Sequence, residues 1–368
     1  MRWLIYILCL LTIGCTSTNK ADRESLTPCY TPKYAKSFLI ATDSLERKVL
    51  IIKDPYQSDK PFEQRVYLLN QSDATPAAAQ SLQLPAMRIS TLSSSHIAML
   101  EAIGVADRVV GASGIGYISN EAVRSRAVEI GYDAALNFER IKAIGTDVIL
   151  LYGLYGEQSG LTSKLSQLGI PYIYIGDYIE SSPLGKAEWM VAIAAICGMQ
   201  EQGEQLFAAL ESRYNALKNQ AAQYSTRPTV MLNTPYRDTW FMPPVDSYMV
   251  QLIADAGGEY IFPENRSAQS QPISIEQALL LCSKADFWLN VGQASSLDQL
   301  KRENSRFASV PAVLNSRVYN NTKRTTAAGG SDFWESGAVN ADIILQDIIA
   351  LLHHNAPTDS LHYYKRLE

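Results

Sequence analysis

Apolar and polar residues recur along this chain with two different periods, and the change of period divides it. Residues 38–54 alternate apolar and polar on both sides of a polar turn at Asp43-Ser44, which predicts a β-hairpin. Residues 65–69, Arg-Val-Tyr-Leu-Leu, predict a further strand. From Met87 onward, short apolar runs alternate with segments of helical spacing. Residues 95–104 read as a capped helix closed by Gly104, followed by a strand at 108–112. A helix at 138–144, a strand at 148–151, a helix at 161–168 and a strand at 172–175 continue the series. This alternation predicts an α/β lobe around a largely parallel sheet.

Between Pro183 and Tyr224 the strand pattern stops. Trp189, Ile193 and Ile196, then Leu206, Leu210, Tyr214 and Leu217, fall at helical spacing, with Gly198 as a break or kink. The part after Gly198 has about 24 residues and would be about 36 Å long, enough to cross from one lobe to another. Beyond it, strands at 229–233, 287–291 and 317–319 alternate with helices at 247–256 and 275–282, and residues 332–352 hold the last helices. The predicted fold class is α/β, with two Rossmann-like lobes joined by a single long interdomain helix. The expected divisions are an N-terminal lobe with an extra β-hairpin at 37–182, the interlobe helix at 183–224, a C-terminal lobe at 225–356 and a tail at 357–368.

The first fifteen residues place one Arg before a short apolar run that ends in Thr12-Ile13-Gly14-Cys15. The run is too short to span a bilayer comfortably and ends in small residues, as a cleaved export signal does. Those last four residues approximate a bacterial lipobox, with the usual Leu one place early at Leu11. The expectation is a lipoprotein signal peptide at 1–15, lipidation at Cys15 and a flexible tether at 16–36; an ordinary secretory signal is the plainer alternative. The protein is therefore expected to be exported and held at a bacterial membrane face, in the periplasm or at the cell surface. Cys29, Cys197 and Cys282 show no CxxC spacing, so the last two read as buried thiols.

Composition narrows the chemistry. The chain has 368 residues, 47% hydrophobic and 19% charged, which argues against disorder. A net charge of −5 and a pI near 5.5 argue against a nucleic-acid partner. The histidines, His96, His353, His354 and His362, lack the spacing of a metal site. No nucleophile elbow, phosphate loop or dinucleotide fingerprint occurs; Gly111-Ala112-Ser113-Gly114-Ile115-Gly116 has the wrong order. The chain therefore reads as a binding protein rather than an enzyme, with no catalytic residues, no metal ligands of its own and no intrinsic cofactor.

Aromatic residues supply the candidate site. Ligands of open α/β sheets bind outside the carboxyl ends of the strands. Tyr117 follows the strand at 108–112, Tyr152 and Tyr155 follow that at 148–151, and Tyr236, Trp240 and Phe241 follow that at 229–233. Phe333 and Trp334 adjoin Gly329-Gly330-Ser331-Asp332. Such rings offer flat apolar surface to a bulky conjugated ligand, although any one of them could instead pack a lobe. His96 could meet a metal chelate or help cap its helix. Lys323 and Arg324 could meet an anionic ligand or lie in a solvated loop, and Asp332 with Glu335 resembles a capping box. The lobes also echo each other: Asn137-Phe138-Glu139-Arg140-Ile141 leads to Asp147, and Ser274-Ile275-Glu276-Gln277-Ala278 leads to Asp286. Glu139 and Glu276 each fall in the first turn of a helix, where the dipole favours an acid.

Taken together, residues 103–111, the Asn137–Ile141 motif with Thr146-Asp147-Val148-Ile149, Asp255-Ala256-Gly257-Gly258 and Gly329-Gly330-Ser331-Asp332-Phe333-Trp334-Glu335 give the chain a family resemblance. It resembles the iron-complex/cobalamin class of substrate-binding proteins of ABC importers, over roughly residues 87–352. The resemblance implies a helical-backbone fold with small hinge motion. It also implies a monomeric, lipid-anchored receptor that captures a metal chelate between its lobes, either a ferric siderophore or haem, with cobalamin as the alternative. Delivery would be to an ABC permease dimer with its ATPase subunits, and the metal would arrive inside its ligand. By motif position, Glu139 and Glu276 would dock into arginine pockets of the permease. Thr146 replaces the family's usual Pro, and the segment before Met87 falls outside the family pattern. A chelatase-like tetrapyrrole metal-insertion enzyme also has two similar α/β lobes, but the export signal opposes it. A module that hands its ligand to a surface receptor is a third reading.

Overall fold

A computed structural model describes residues 26–54, 62–76, 79–132, 135–153 and 159–368. Cys15 and Tyr155 lie outside the described residues. The chain opens with five strands, β1 (Thr27–Tyr30), β2 (Phe38–Thr42), β3 (Lys48–Lys53), β4 (Glu63–Leu69) and β5 (Ser81–Gln83), adjacent in that order. Neighbours are antiparallel except β4 and β5. The period of two sends Phe38, Ile40, Leu50, Ile52, Val66 and Leu68 into the main core. Ala41, Val49, Ile51, Tyr67 and Leu69 form a second small cluster on the opposite face. Asp43 closes the β2–β3 turn by accepting from the backbone N–H groups of Leu45 and Arg47 and pairing with the Arg47 guanidinium.

The expected hairpin is therefore the centre of a larger sheet, and the expected tether carries its edge strand. Residues 30–37 are held by two buried carboxylates. Glu188 accepts from Tyr30 Oη and from the backbone N–H groups of Lys33, Tyr34 and Ala35, at 2.8–2.9 Å. Glu180 accepts from the backbone N–H groups of Lys36 and Ser37. These acceptors come from about 150 residues away, so local composition gives no sign of them. Gln64 joins the sheet to the next lobe: its amide donates to Tyr172 O at 3.0 Å and accepts from Tyr174 N at 3.0 Å.

The N-terminal lobe runs β6 (Ile89–Thr91), α1 (Ser94–Ala102), β7 (Val109–Ala112), α2 (Glu121–Arg126), β8 (Val128–Glu129), α3 (Phe138–Ala143), β9 (Val148–Leu151), α4 (Ser159–Gln167) and β10 (Tyr172–Tyr174). Its sheet is wholly parallel, in the order β10-β9-β6-β7-β8. Two helices follow, α5 (Pro183–Ile196) and α6 (Gln200–Ala221). Ser182 caps α5 by accepting from Gly185 N at 2.9 Å, with Pro183 as the first helical residue. Gly198, at φ +74°, makes the turn between the helices. A Cβ on Gly203 would lie 2.5 Å from that of Ala194, so glycine lets α6 close onto α5. At one end of α6, Gln202 donates to Ile103 O of the N-terminal lobe. Towards the other end Tyr214 and Lys218 bind Asp255, and Arg213 binds Asp342, all across to the C-terminal lobe. The bridge is thus α6, about 33 Å long at 1.5 Å per residue.

The C-terminal lobe contains β11 (Thr229–Leu232), β12 (Thr239–Met242), α7 (Tyr248–Asp255), β13 (Glu259–Tyr260), β14 (Gln271–Ser274), α8 (Ile275–Cys282), β15 (Phe287–Leu289), α9 (Leu297–Glu303), α10 (Pro311–Leu314), β16 (Val318–Asn320), α11 (Ala341–His353) and β17 (Lys365–Arg366). Its main sheet is ordered β13-β11-β15-β16-β17 and is parallel up to β16. The expected tail is part of this lobe. β17 pairs antiparallel with β16, and Leu361, Tyr363, Tyr364 and Leu367 are buried. Asp347 of α11 holds the segment by accepting from the N–H groups of His362, Tyr363 and Tyr364. The echo between lobes has a physical basis as well. Asp147 accepts from the N–H groups of Met87 and Arg88 ahead of β6, and Asp286 accepts from that of Thr229 at the start of β11. Each acid pins the start of the strand beside the one it precedes.

Candidate functional site

The parallel strands of both lobes deliver their carboxyl ends to one cleft, and residues 323–338 of the C-terminal lobe cross it. The Glu335 carboxylate accepts from the backbone N–H groups of Ser119 and Asn120 in the N-terminal lobe, each at 2.7 Å. Thr326 Oγ1 donates to Gly116 O at 2.8 Å. Gly330 sits so close to the Tyr117 carbonyl that an added Cβ would lie 1.9 Å from its oxygen. No capping box forms: Asp332 pairs with Arg324, while Glu335 spans the lobes.

Two cavities flank the crossing segment and share Thr325. The larger, about 750 Å³, is lined by Asn233, Tyr248, Asn290, Asn321, Trp334 and Lys365 among others. The smaller, about 680 Å³, joins Gly116, Ser119 and Arg124 to Lys323, Arg324 and Asp332. The lining of the larger one follows from strand geometry. Asn233 and Asn290 come directly after β11 and β15, with φ of +65° and +59°. Asn is the side chain that best tolerates this left-handed turn, and it leaves an amide at the strand tip. Asn321 also directly follows its strand, β16, without the left-handed turn. Tyr248 and Trp334 add a pair of rings with centroids 6.2 Å apart.

Of the sequence-predicted residues, Trp334 lines this cavity. Tyr117 is exposed on the loop after β7, against Gly330, and Tyr152 is partly exposed after β9. Tyr236 is exposed on the turn into β12, under the Arg237 guanidinium, and lines neither cavity. Three expectations are corrected. Trp240 is fully buried: its Nε1 donates to Leu232 O at 2.9 Å, and its ring packs on Trp288 and Phe307. The period of two in β12 turns Trp240 and Met242 inward and Phe241 outward. Phe333 is likewise buried, edge-on to Tyr363 and Tyr364. His96 is fully buried in the N-terminal lobe rather than at the cleft. Its Nδ1 is 2.8 Å from Thr91 Oγ1 and its Nε2 is 3.6 Å from Asp177, which pairs with Lys186. Burial works to raise the Asp177 pKa, but Lys186 and His96 outweigh it and hold the carboxyl below the usual range.

Lys323 is not free for a ligand, because its ammonium is bound by the carbonyls of Thr358 and Leu361. Among the described residues no cluster of three or more His, Cys, Asp or Glu could hold a metal ion. Burial pushes the Cys197 and Cys282 thiols up to about 12. The sequence reading missed Asn233, Asn290, Asn321, Tyr248 and Lys365. A signal for the first three was present, since an Asn closes each of the apolar strands β11, β15 and β16.

Glu139 and Glu276 lie outside both cavities. Each is exposed in a first turn, on α3 behind the Asn137 cap and on α8 behind the Ser274–Gln277 capping box. Arg306 approaches Glu276 at 3.3 Å. Each helix runs back against the strand that follows it, so both first turns lie toward the cleft edge of their sheets.

The interlobe clamp carries a pH signature. Burial pushes the Glu335 carboxyl up to about 7, against the two backbone N–H groups that favour its charged form. A raised carboxyl pKa contributes stability that is fully present below the ordinary value and is lost as pH rises through about 7. The gap corresponds to about 3 kcal/mol. Urea unfolding of the wild type and Glu335→Gln should show this loss between pH about 4.5 and 8 in the wild type only. A pH-independent difference between the two would exclude Glu335 as the titrating group.

The family model described as periplasmic binding protein matches residues 89–325. An uncharacterized lipoprotein of Methanocaldococcus jannaschii is 25% identical over 335 residues, which cover 83% of this chain and 78% of the relative. The vitamin B12 binding protein BtuF of Vibrio cholerae superposes with a TM-score of 0.54 at 17% identity, covering 73% of this chain and 97% of that one. The siderophore binding protein FhuD of Vibrio cholerae, bound to Fe³⁺-Desferal, gives 0.54 at 18% identity, covering 72% and 99%. At such identities the structural likenesses establish the two-lobe fold.

Proposed function

Because this chain belongs to the periplasmic binding protein family, we propose that it is the substrate-binding lipoprotein of an ABC importer for an iron complex, either a ferric siderophore or haem. The observation that carries the reading is the 750 Å³ cavity at the tips of β11, β15 and β16, beside the interlobe crossing. Its volume suits a drug-sized ligand, and it combines the Trp334 and Tyr248 rings with three amide side chains. Tyr117 and Tyr152 would meet the ligand from the facing lobe. Membrane attachment through acylated Cys15 is supported by the lipobox and by the lipoprotein name of a relative. Glu139 and Glu276 would engage the permease, leaving the cleft free. The protein would catalyse no reaction, and its metal would travel inside the chelate.

The test is titration of the purified chain with ferric siderophores, haem and cobalamin, followed by tryptophan quenching. Saturable binding of an iron complex is expected. Trp334→Ala should weaken it about ten- to thirty-fold, the effect of removing an aromatic anchor worth about 1.4–2 kcal/mol. Preference for cobalamin would assign the alternative cargo. Unchanged affinity in both Trp334→Ala and Tyr248→Ala would move the site elsewhere. Metal insertion into a free porphyrin would revive the enzyme reading.

A further inference from the structure

The larger cavity is electrostatically one-sided. None of its lining residues is Asp or Glu, and the single charged side chain among them is Lys365. Lys365 is partly buried on β17, and its ammonium has neither an ion pair nor a hydrogen bond among the described residues. The neighbouring cations at the crossing are committed elsewhere: Lys323 to carbonyls, Arg324 to Asp332, and Arg124 to Ile118 O. An ammonium left without a partner in a concave, carboxylate-free site concentrates positive potential there.

A second feature points the same way. α7 opens on this cavity, where Ser247, Tyr248 and Met249 line the wall. Its cap residue, Ser247, makes no side-chain capping bond, and the Ser247 Oγ is buried without a partner. The N–H groups of Tyr248, Met249 and Val250 likewise have no acceptor among the described residues. These are the orphan donors at the positive end of a helix, and they favour anionic oxygen. The Asn290 carbonyl oxygen is occupied by Tyr364 Oη, which leaves its amide N–H groups as the available function.

Resting on the receptor reading above, we infer that the cleft selects an anionic, oxygen-rich metal complex, bound by the Lys365 ammonium and the uncapped first turn of α7. The chemical class is a ferric catecholate or carboxylate chelate. A neutral complex of similar size would leave Lys365 and three N–H groups desolvated without acceptors, so the site discriminates by charge as well as shape. Charge-assisted bonds are roughly twice as strong as neutral ones, which sets the direction of the preference. Lys365 lies beyond residue 325, where the family match ends, so the selectivity comes from the segment that closes the sheet.

The test compares three ferric complexes on the whole exported chain: an anionic tricatecholate, an anionic citrate complex and a neutral trihydroxamate. The wild type should bind one anionic complex at least about ten-fold more tightly than the neutral one, and added salt should shrink that margin. Which anionic complex leads distinguishes catecholate from carboxylate. Lys365→Gln should remove most of the margin, by weakening the anionic complexes and by relieving the desolvation cost of the neutral one, and Lys365→Arg should retain it. Equal wild-type affinity for anionic and neutral complexes would overturn the charge inference while sparing the receptor reading, as would an undiminished margin in a folded Lys365→Gln. Failure to bind any of the three, or haem, would overturn both.

Discussion

With Glu139 and Glu276 both replaced by alanine, affinity for the captured complex should be unchanged while uptake through the permease falls to background. Both side chains are exposed and neither lines a cleft cavity, so their loss leaves the site intact. Their helices keep Asn137 and Ser274 as caps, and the cost in stability should stay within about 0.5 kcal/mol. On the proposed docking role, the double variant loses a pair of acids, one per lobe, that would meet arginines of a partner; such charge pairs set encounter and register. Uptake of a radiolabelled complex in cells carrying the cognate permease measures one half, and titration of the purified variant the other. Normal uptake would end the docking assignment. A parallel loss of ligand affinity would place the acids in the binding machinery instead.

The largest expected loss of stability comes from Glu188→Ala. That one carboxylate satisfies Tyr30 Oη and three consecutive backbone N–H groups, and it is itself buried in α5. Each donor left buried and unpaired costs about 1–3 kcal/mol, unless residues 30–35 detach and become hydrated. The expected result is a loss of about 3–5 kcal/mol in urea unfolding, with faster amide exchange at Lys33, Tyr34 and Ala35. The neighbouring cleft should keep its ligand affinity. Unaltered exchange at those three amides would show that another group holds the segment.

The strands and helices of the two lobes were legible because each buries an apolar stripe of its own. Val148-Ile149-Leu150-Leu151 and Thr229-Val230-Met231-Leu232 read as strands without any knowledge of their neighbours. The elements that escaped notice are those whose stability is borrowed. β1 is an exposed edge strand containing Pro28, and its Tyr30 is held by Glu188 of the distant helix α5. β17 is two residues long and is defined by its pairing with β16 and by Asp347. The aromatic site residues divided for a similar reason. A position after a strand fixes the end of the sheet but not the side on which a ring falls; that depends on register, which buries Trp240 against Trp288 and leaves Trp334 in the cavity. His96 stands one helix start away from the cleft edge, yet Thr91 and Asp177 draw it into the interior.

Gln64 has a consequence for where this protein could be cut. β10 is the open edge of the N-terminal lobe's sheet, and one amide side chain occupies both a carbonyl and an N–H of that edge, much as a further strand would. Phe62 reinforces the seal by packing edge-on to Tyr174, with ring centroids 5.2 Å apart. A fragment trimmed to the family-matched residues 89–325 would lose this stopper and bare a parallel edge rich in Tyr and Ile. The appended sheet therefore covers an edge that would otherwise be open to edge-to-edge pairing, so a fragment that keeps β4 should aggregate less than residues 89–325 alone.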